Sequence, residues 1–418
     1  MSRSWTHLRT HSRTHPRTPA DTPADTPADT PARTRSRTHC RTRSLTRDRL
    51  RAAVAVAAGL GLAVSLAACG KAGQVGERVG AAGTHRAALR IGLLLPENEI
   101  VRFERFDKPL IQKRVKELCP RCTVNYASAQ HDPAAQRYQI EAMITNGVDV
   151  LILDAVDTKA VRHSVIQARR ANVPVVAYDR LAQGPISGYV SFDGAEVGRL
   201  QGKALLKALG PHAEDRRIVM MNGSSTDPNA GWFERGARSV LRGKVKIAKS
   251  YETVAWRPEN ANRNMTAAIA ALGPHGIDGV LAANDGLAAG AITAMKTARI
   301  RPLPPVTGQD AEAAGIQRIL SGEQYMTVYK PFKPEAYTAA EMAVALGQGK
   351  SLNGIATRRV DNETVRGIPT VLLRPVAVTV HNIKSTVIKD GLYRVDQICT
   401  EKYADDCRRA GLIGPGGS

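Results

Sequence analysis

The residues best suited to chemistry are polar and fall in short clusters along the chain. Tyr178-Asp179-Arg180, Ser225-Thr226-Asp227-Pro228-Asn229, Asn284-Asp285 and Gln309-Asp310 form groups, and Asp154, Trp256 and Lys330 stand apart from them. Upstream lies another set, Arg102, Glu104, Arg105 and Phe106. Carboxylates, carboxamides and guanidinium groups are planar and hold two hydrogen bonds at once, the geometry that adjacent hydroxyls demand. A flat aromatic ring stacks on a C–H face. Together these residue types suit a small carbohydrate. Each hydrogen bond is worth only ~1 kcal/mol net. A site that leaves its polar groups unpaired with the wrong ligand still discriminates by ~10⁴ or more. Taken singly, every cluster has an ordinary structural role. Asn229, Asn284 and Asp310 can cap helices, Trp256 can be core, and Asp179 can simply pair with Arg180.

The same residues argue against catalysis. No nucleophile stands with an evident base. Gly198–Lys203 lacks the spacing of a phosphate loop, and the chain beyond the amino-terminal region shows neither a dinucleotide fingerprint nor G-x-S-x-G. A binding protein without cofactor or metal is expected.

What must position these clusters is read most easily from Val148–Arg180. Val148–Leu153 and Val173–Ala177 are short, nearly continuous apolar runs, and Thr158–Asn172 between them carries apolar residues at helical spacing. Two buried strands joined by one amphipathic helix make a βαβ unit in a parallel sheet. Its polar residues come where strands end, and ligands of open α/β sheets sit at the carboxyl ends of the strands. The pattern recurs. Strands are expected at Ala88–Pro96, Thr123–Ala129 and Tyr189–Asp193, with helices at Glu104–Leu118, Pro133–Asn146 and Glu196–Leu209. A second set follows, with strands at Arg217–Asn222, Lys244–Tyr251, Gly279–Ala283 and Pro305–Gly308. Helices at about Ala230–Leu241, Pro258–Leu272, Gly286–Thr297 and Ala313–Leu320 separate and follow them. Met326–Tyr329, a helix Pro334–Leu346, one long strand Thr370–Val380 and a short helix His381–Lys389 are too few for a third domain. They return to complete the earlier sheets. The expected class is α/β, with two doubly wound parallel-sheet lobes joined by a multi-strand hinge. The first lobe is expected over 88–192 plus about 331–371, and the second over 193–330 plus about 372–410. The polar clusters then form one wall from each lobe, facing a cleft.

The formal charge of +21 has an amino-terminal bias: residues 1–51 account for +8 and leave +13 for the rest. The remaining excess is scattered with few interleaved aromatics, so it reads as general surface charge rather than a nucleic-acid groove. Residues 1–51 are a low-complexity, basic tail of Arg-Thr pairs and Pro-Ala-Asp-Thr repeats, unable to bury a core. Arg47–Arg51, the apolar run Ala52–Ala68 and small residues before Cys69 have the layout of a secretory signal. Leu66-Ala67-Ala68-Cys69 resembles the bacterial lipobox, in which the Cys is acylated and becomes the first mature residue. Two or three acyl chains at ~0.8 kcal/mol per buried methylene anchor stably in a bilayer. Residues 69–87 are then a flexible Gly/Ala tether.

Four further cysteines follow. Cys119-Pro-Arg-Cys122 has the form of a redox motif, half a zinc site or a small disulfide. It ends a helical stretch, whereas a redox motif opens a helix whose dipole lowers the thiol pKa. Zinc needs two more tightly spaced ligands, and Cys399 and Cys407 are eight apart. Outside the cytoplasm, pairing 119–122 and 399–407 is the economical assignment.

At this point a resemblance emerges. Phe103-Glu-Arg-Phe106, Ala177-Tyr-Asp-Arg180, Tyr189-Val-Ser-Phe-Asp193, Asn284-Asp285, Gly308-Gln-Asp310 and Met326-Thr-Val-Tyr-Lys-Pro331 resemble the D-xylose-binding branch of the periplasmic sugar-binding proteins that serve ATP-driven importers. The likeness runs from about Ala88 to Tyr393. It implies the type I periplasmic-binding fold, three hinge crossings, and closure around a pyranose that a monomer delivers to a permease. Carried over by position, it implies sugar contacts at Arg105, Asp179, Arg180, Asp227, Asn229, Trp256, Asn284, Asp310 and Lys330. Phe106 stands where the family usually has Trp, a smaller ring that still stacks. Pro228 replaces a more usual Asn and stiffens the loop between two contact residues. The calcium loop of the glucose/galactose-binding relatives has no counterpart here. Sugar-sensing repressors share the fold but need a helix-turn-helix before the first lobe, and residues 1–87 offer a signal and a tether instead. A sensor of the same fold that reports another pentose or a hexose to a membrane receptor remains as the second reading.

Overall fold

The computed structural model describes residues 88–414. The tail, the signal, Cys69 and the tether lie outside the described residues. The first sheet takes β1 (Arg90–Leu95), β2 (Thr123–Ser128), β3 (Val150–Leu153), β4 (Val175–Tyr178) and β5 (Gly188–Phe192) in turn. Helices α1 (Lys108–Leu118), α2 (Pro133–Thr145) and α3 (Arg162–Arg170) alternate with the first four strands, and all neighbouring pairs among the five strands are parallel. β3 and β4 are buried along their whole length, and β1 beyond its first residue. Helices cover both faces, so these strands read as unbroken Val, Ile and Leu rather than alternating. α3 begins four residues later than its periodicity suggests, because the Asp157 carboxylate accepts the amides of Lys159 and Ala160 and closes a turn first.

The chain then enters a second lobe through α4 (Gly194–Leu209). β6 (Arg217–Asn222), α5 (Pro228–Leu241), β7 (Lys246–Glu252), α6 (Pro258–Leu272), β8 (Gly279–Ala282), α7 (Asp285–Thr297), α8 (Ala313–Leu320) and β9 (Thr327–Tyr329) follow. The expected strand Pro305–Gly308 forms a single bridge, Val306 beside Val280, with flanking backbone hydrogen bonds. α9 (Phe332–Gly347) returns to the first lobe, where Ala336, Ala339, Ala340 and Ala343 share a core with Leu89, Ile91 and Val190.

The expected long strand at 370–380 is two strands in two sheets. β11 (Ile368–Leu373) runs parallel to β5 in the first sheet, with β10 (Arg358–Val360) antiparallel at its edge. β12 (Val376–Val378) pairs antiparallel with β9 in the second lobe. Pro375 lies at the break. It has no amide to donate, so neither ladder can continue through it. The chain therefore passes between lobes near Asp193, Pro331 and Pro375. The expected helix after it is only a π-helical turn, Lys384–Ile388.

Cys119 and Cys122 are bonded to each other, as are Cys399 and Cys407. The first pair joins the end of α1 to the start of β2. The second closes the carboxyl-terminal segment, whose Ile398 and Cys407 pack with Ile316 and Ile319 of α8.

Candidate functional site

The strand ends of the two lobes converge on one crevice. Asp179 and Arg180 follow β4 in the first lobe. Asp227, Asn229, Trp256, Asn284, Asp310 and Lys330 come from the second lobe and its return crossing. These eight residues share the crevice with Ile100, Arg102, Phe103, Phe233 and Gln309, around ≈ 330 Å³ of space not filled by protein atoms. Of this, only ≈ 30 Å³ admits a water-sized sphere, far below the about 300 Å³ of a small-ligand pocket, so the lobes stand closed on one another in this structure.

Local structure accounts for each placement. Asp227 and Asn284 cap α5 and α7, their side chains accepting the Asn229 and Leu287 amides at 2.8 Å each. A capping residue sits at the mouth of its helix, which here is also the rim of the cleft. Asp179 (φ 55°), Trp256 (φ 57°) and Asp310 (φ 87°) all have left-handed backbones. Such conformations cost ~1–3 kcal/mol and persist at sites where surrounding structure enforces them.

Asp179 is the best connected. Its carboxylate accepts Arg102 Nη1 at 2.7 Å and Asn229 Nδ2, from the opposite lobe, at 3.1 Å. Burial works against its charge, but Lys330, Arg102, Arg180 and the Asn229 hydrogen bond outweigh it and hold the carboxyl at about 2. Arg102 also binds Asp107 at 2.8 Å and Glu335 of α9 at 2.9 Å. Burial drives both Asp107 and Glu335 upward despite that guanidinium. Arg180 donates to the Ala155 carbonyl at 2.9 Å and lies 3.0 Å from Asp227 across the cleft. Asp154, expected at the end of β3, is fully buried behind Arg180 at 3.4 Å, and burial raises it well above the usual range. Lys330 pairs with Asp310 at 2.9 Å.

Two residues of the expected set do not reach the crevice. Arg105 is exposed and lies over the rings of Phe106 and Tyr393, 5.6 and 5.5 Å from their centroids. Phe106 packs against Phe332 and Tyr393, with centroids 5.6 and 5.9 Å away. The segment Phe103–Asp107 is a π-helical turn, whose extra residue per turn rotates the side chains that follow. Arg102 and Phe103 face the cleft in their place. Sequence reasoning sets Arg102 among the strand-end polar residues without giving it a contact. Glu335 it misses, because nothing local distinguishes a glutamate inside an ordinary helix. Phe233 reads as one apolar residue of α5, and only the lobe packing brings it to the cleft.

Residues 91–351 match the periplasmic binding protein domain, and the chain belongs to the periplasmic binding protein family. It is 36% identical over 320 residues to the D-xylose-binding periplasmic protein of Escherichia coli (strain K12), covering 75% of this chain and 94% of that protein. A multiple sugar-binding periplasmic receptor of Rhizobium radiobacter is 33% identical over 285 residues, covering 63% of this chain and 80% of the receptor. Among solved structures, an ABC transporter solute-binding protein from Clostridium phytofermentans with bound β-D-glucose superposes with a TM-score of 0.68 at 28% identity, covering 74% of this chain and 99% of that one.

The state of Asp179 sets a pH dependence. A carboxyl held lower in the folded than in the unfolded chain stabilises fully above its ordinary pKa near 4, and that stability is lost as pH falls through about 2. Near pH 7, Asp179→Asn is expected to lower unfolding stability by about 2 kcal/mol. The gap to the parent is expected to narrow steadily as denaturant unfolding is repeated from pH 5 downward. A gap that stays constant from pH 6 to pH 3 would contradict the assignment.

Proposed function

We propose that this chain is an extracytoplasmic substrate-binding lipoprotein of an ATP-driven importer. It captures a monosaccharide, D-xylose, between its lobes and presents the closed form to the permease. The observation that carries the reading is convergence: carboxylates, amides and cations from two lobes meet at one buried crevice beside an indole. Asp179, Arg180, Asp227, Asn229, Trp256, Asn284, Asp310 and Lys330 are the proposed sugar contacts, with Arg102 in the place first given to Arg105. Asp310 and Asp179 accept sugar hydroxyls, Arg180 and Lys330 donate, and Trp256 offers its face to ring C–H groups. No catalysis is needed, only greater affinity for sugar in the closed arrangement than in the open one. The similarity to D-xylose-binding periplasmic proteins supports xylose. The glucose-bound neighbour and the multiple-sugar receptor support the second reading, a sensor for another pentose or a hexose.

Acylation of Cys69 supplies the anchor on this reading, and the protein acts as a monomer on the outer face of the cytoplasmic membrane. Cys69→Ala is expected to move the protein from the membrane fraction into the soluble one; unchanged fractionation would contradict the anchor.

Calorimetric titration of residues 70–418 with xylose, ribose, arabinose, glucose and galactose tests the ligand. Xylose is expected to bind tightest. Asp310→Ala and Arg180→Ala each strand a buried charge, a loss of about 3 kcal/mol or on the order of 100-fold in affinity. Near-parental affinity in both folded variants would refute the site.

A further inference from the structure

The crevice is lined by nine polar or charged residues and four apolar ones. Its apolar residues are Ile100, Phe103, Phe233 and Trp256. They differ in what lies behind them. Phe103 sits under the Arg102 guanidinium, 5.2 Å from its ring centroid. Ile100 and Trp256 also front an outer vestibule of ≈ 240 Å³, so a group directed past them finds room. Phe233 backs onto the core of the second lobe, with Val197 and Ala230 in the same cluster.

The Phe233 ring has little freedom to yield. Its own carbonyl oxygen lies 1.9 Å from where a Cβ on Gly198 would stand, so α4 and α5 meet backbone to backbone there. Its ring carbon Cε1 is 3.3 Å from the corresponding point on Gly194. Trp256 meets it edge-on with centroids 6.3 Å apart, and Trp256 is itself wedged against Gly223, where a Cβ would come within 2.1 Å of the indole. Each glycine in this set holds an aromatic in place by having no side chain.

A pentopyranose carries hydroxyls on four ring carbons and leaves the fifth as a bare methylene. A hexopyranose places a hydroxymethyl group there. The hydroxylated carbons match the charged residues of the crevice, and the methylene matches its apolar ones. We propose that the Phe233 ring is the wall that faces this methylene and sets the size of the sugar, admitting a pentopyranose and excluding the hydroxymethyl of a hexopyranose. The inference rests on the sugar-binding reading above and adds the residue that selects within it. A hexose must either displace a ring clamped by α4 or bury a hydroxyl against it without a partner.

Titration of the parent with xylose and glucose, beside Phe233→Leu and Phe233→Ala, tests this. Leu keeps an apolar side chain in the core if the larger truncation fails to fold, and circular dichroism reports which variants are folded. The parent is expected to favour xylose over glucose by about 10–200-fold, the range for one extra group in a fitted apolar pocket. In the folded variants that ratio is expected to fall at least about tenfold, mainly through tighter glucose binding. A parent that binds glucose as tightly as xylose would overturn the wall while leaving sugar binding intact. So would a ratio unmoved in every folded variant. A parent that binds neither sugar would remove the sugar-binding reading, and this inference with it.

Discussion

An ionised carboxylate buried between two lobes is the constraint from which the rest of this structure follows. Asp179 is 6% exposed, and a buried charge without partners costs several kcal/mol. The fold supplies those partners from both sides. Arg102 comes from the first lobe, just after β1. Asn229 comes from the first turn of α5 in the second. Lys330 adds its field from the crossing that leaves β9. Separating the lobes would strip Asp179 of its Asn229 hydrogen bond and expose Asp227 and Arg180 to water. The polar groups thus gain most when the lobes are together, as a protein that clasps a ligand requires.

The hinge and the site are not separate features. Lys330 stands at the second crossing, and Glu335, a partner of Arg102, is five residues further on in α9. Asp193, at the first crossing, caps α4 through the Glu196 amide at 2.9 Å. A change in how the crossings bend therefore acts directly on cleft side chains. In the second lobe, Asp285 has an analogous role away from the cleft. Its carboxylate accepts from the Glu312 amide, Gln324 and Thr327, fixing α7, α8 and β9 together. Burial raises it to about 7 despite Arg318 and those hydrogen bonds.

Much of this was legible in the sequence, for identifiable reasons. β1, β3 and β4 are covered on both faces, and burial on both faces leaves a short apolar run whose length and Val/Ile/Leu content mark a strand. Asn284 announces itself as a cap just before helical periodicity begins, whereas α5 is capped by Asp227 rather than by the expected Asn229, and the N-cap position of α8 is held by Glu312 rather than by Asp310. Where expectation and structure part, the cause is a long-range or backbone effect. Pro375 breaks the strand at 370–380 because two sheets compete for its flanks, and apolar alternation cannot say which sheet a residue joins. Arg105 and Phe106 fall outside the cleft because a π-helical turn shifts the register by an amount that spacing does not encode. Glu335 and Phe233 matter only through packing between elements far apart in sequence.

The most direct test is a crystal structure of residues 70–418 grown with D-xylose. One sugar is expected in the crevice, with hydroxyls donating to Asp179 from the first lobe and to Asp310 from the second, and with Trp256 against its C–H face. A sugar held by one lobe alone, or seated outside the crevice while Asp179 and Asp310 remain without it, would contradict the account.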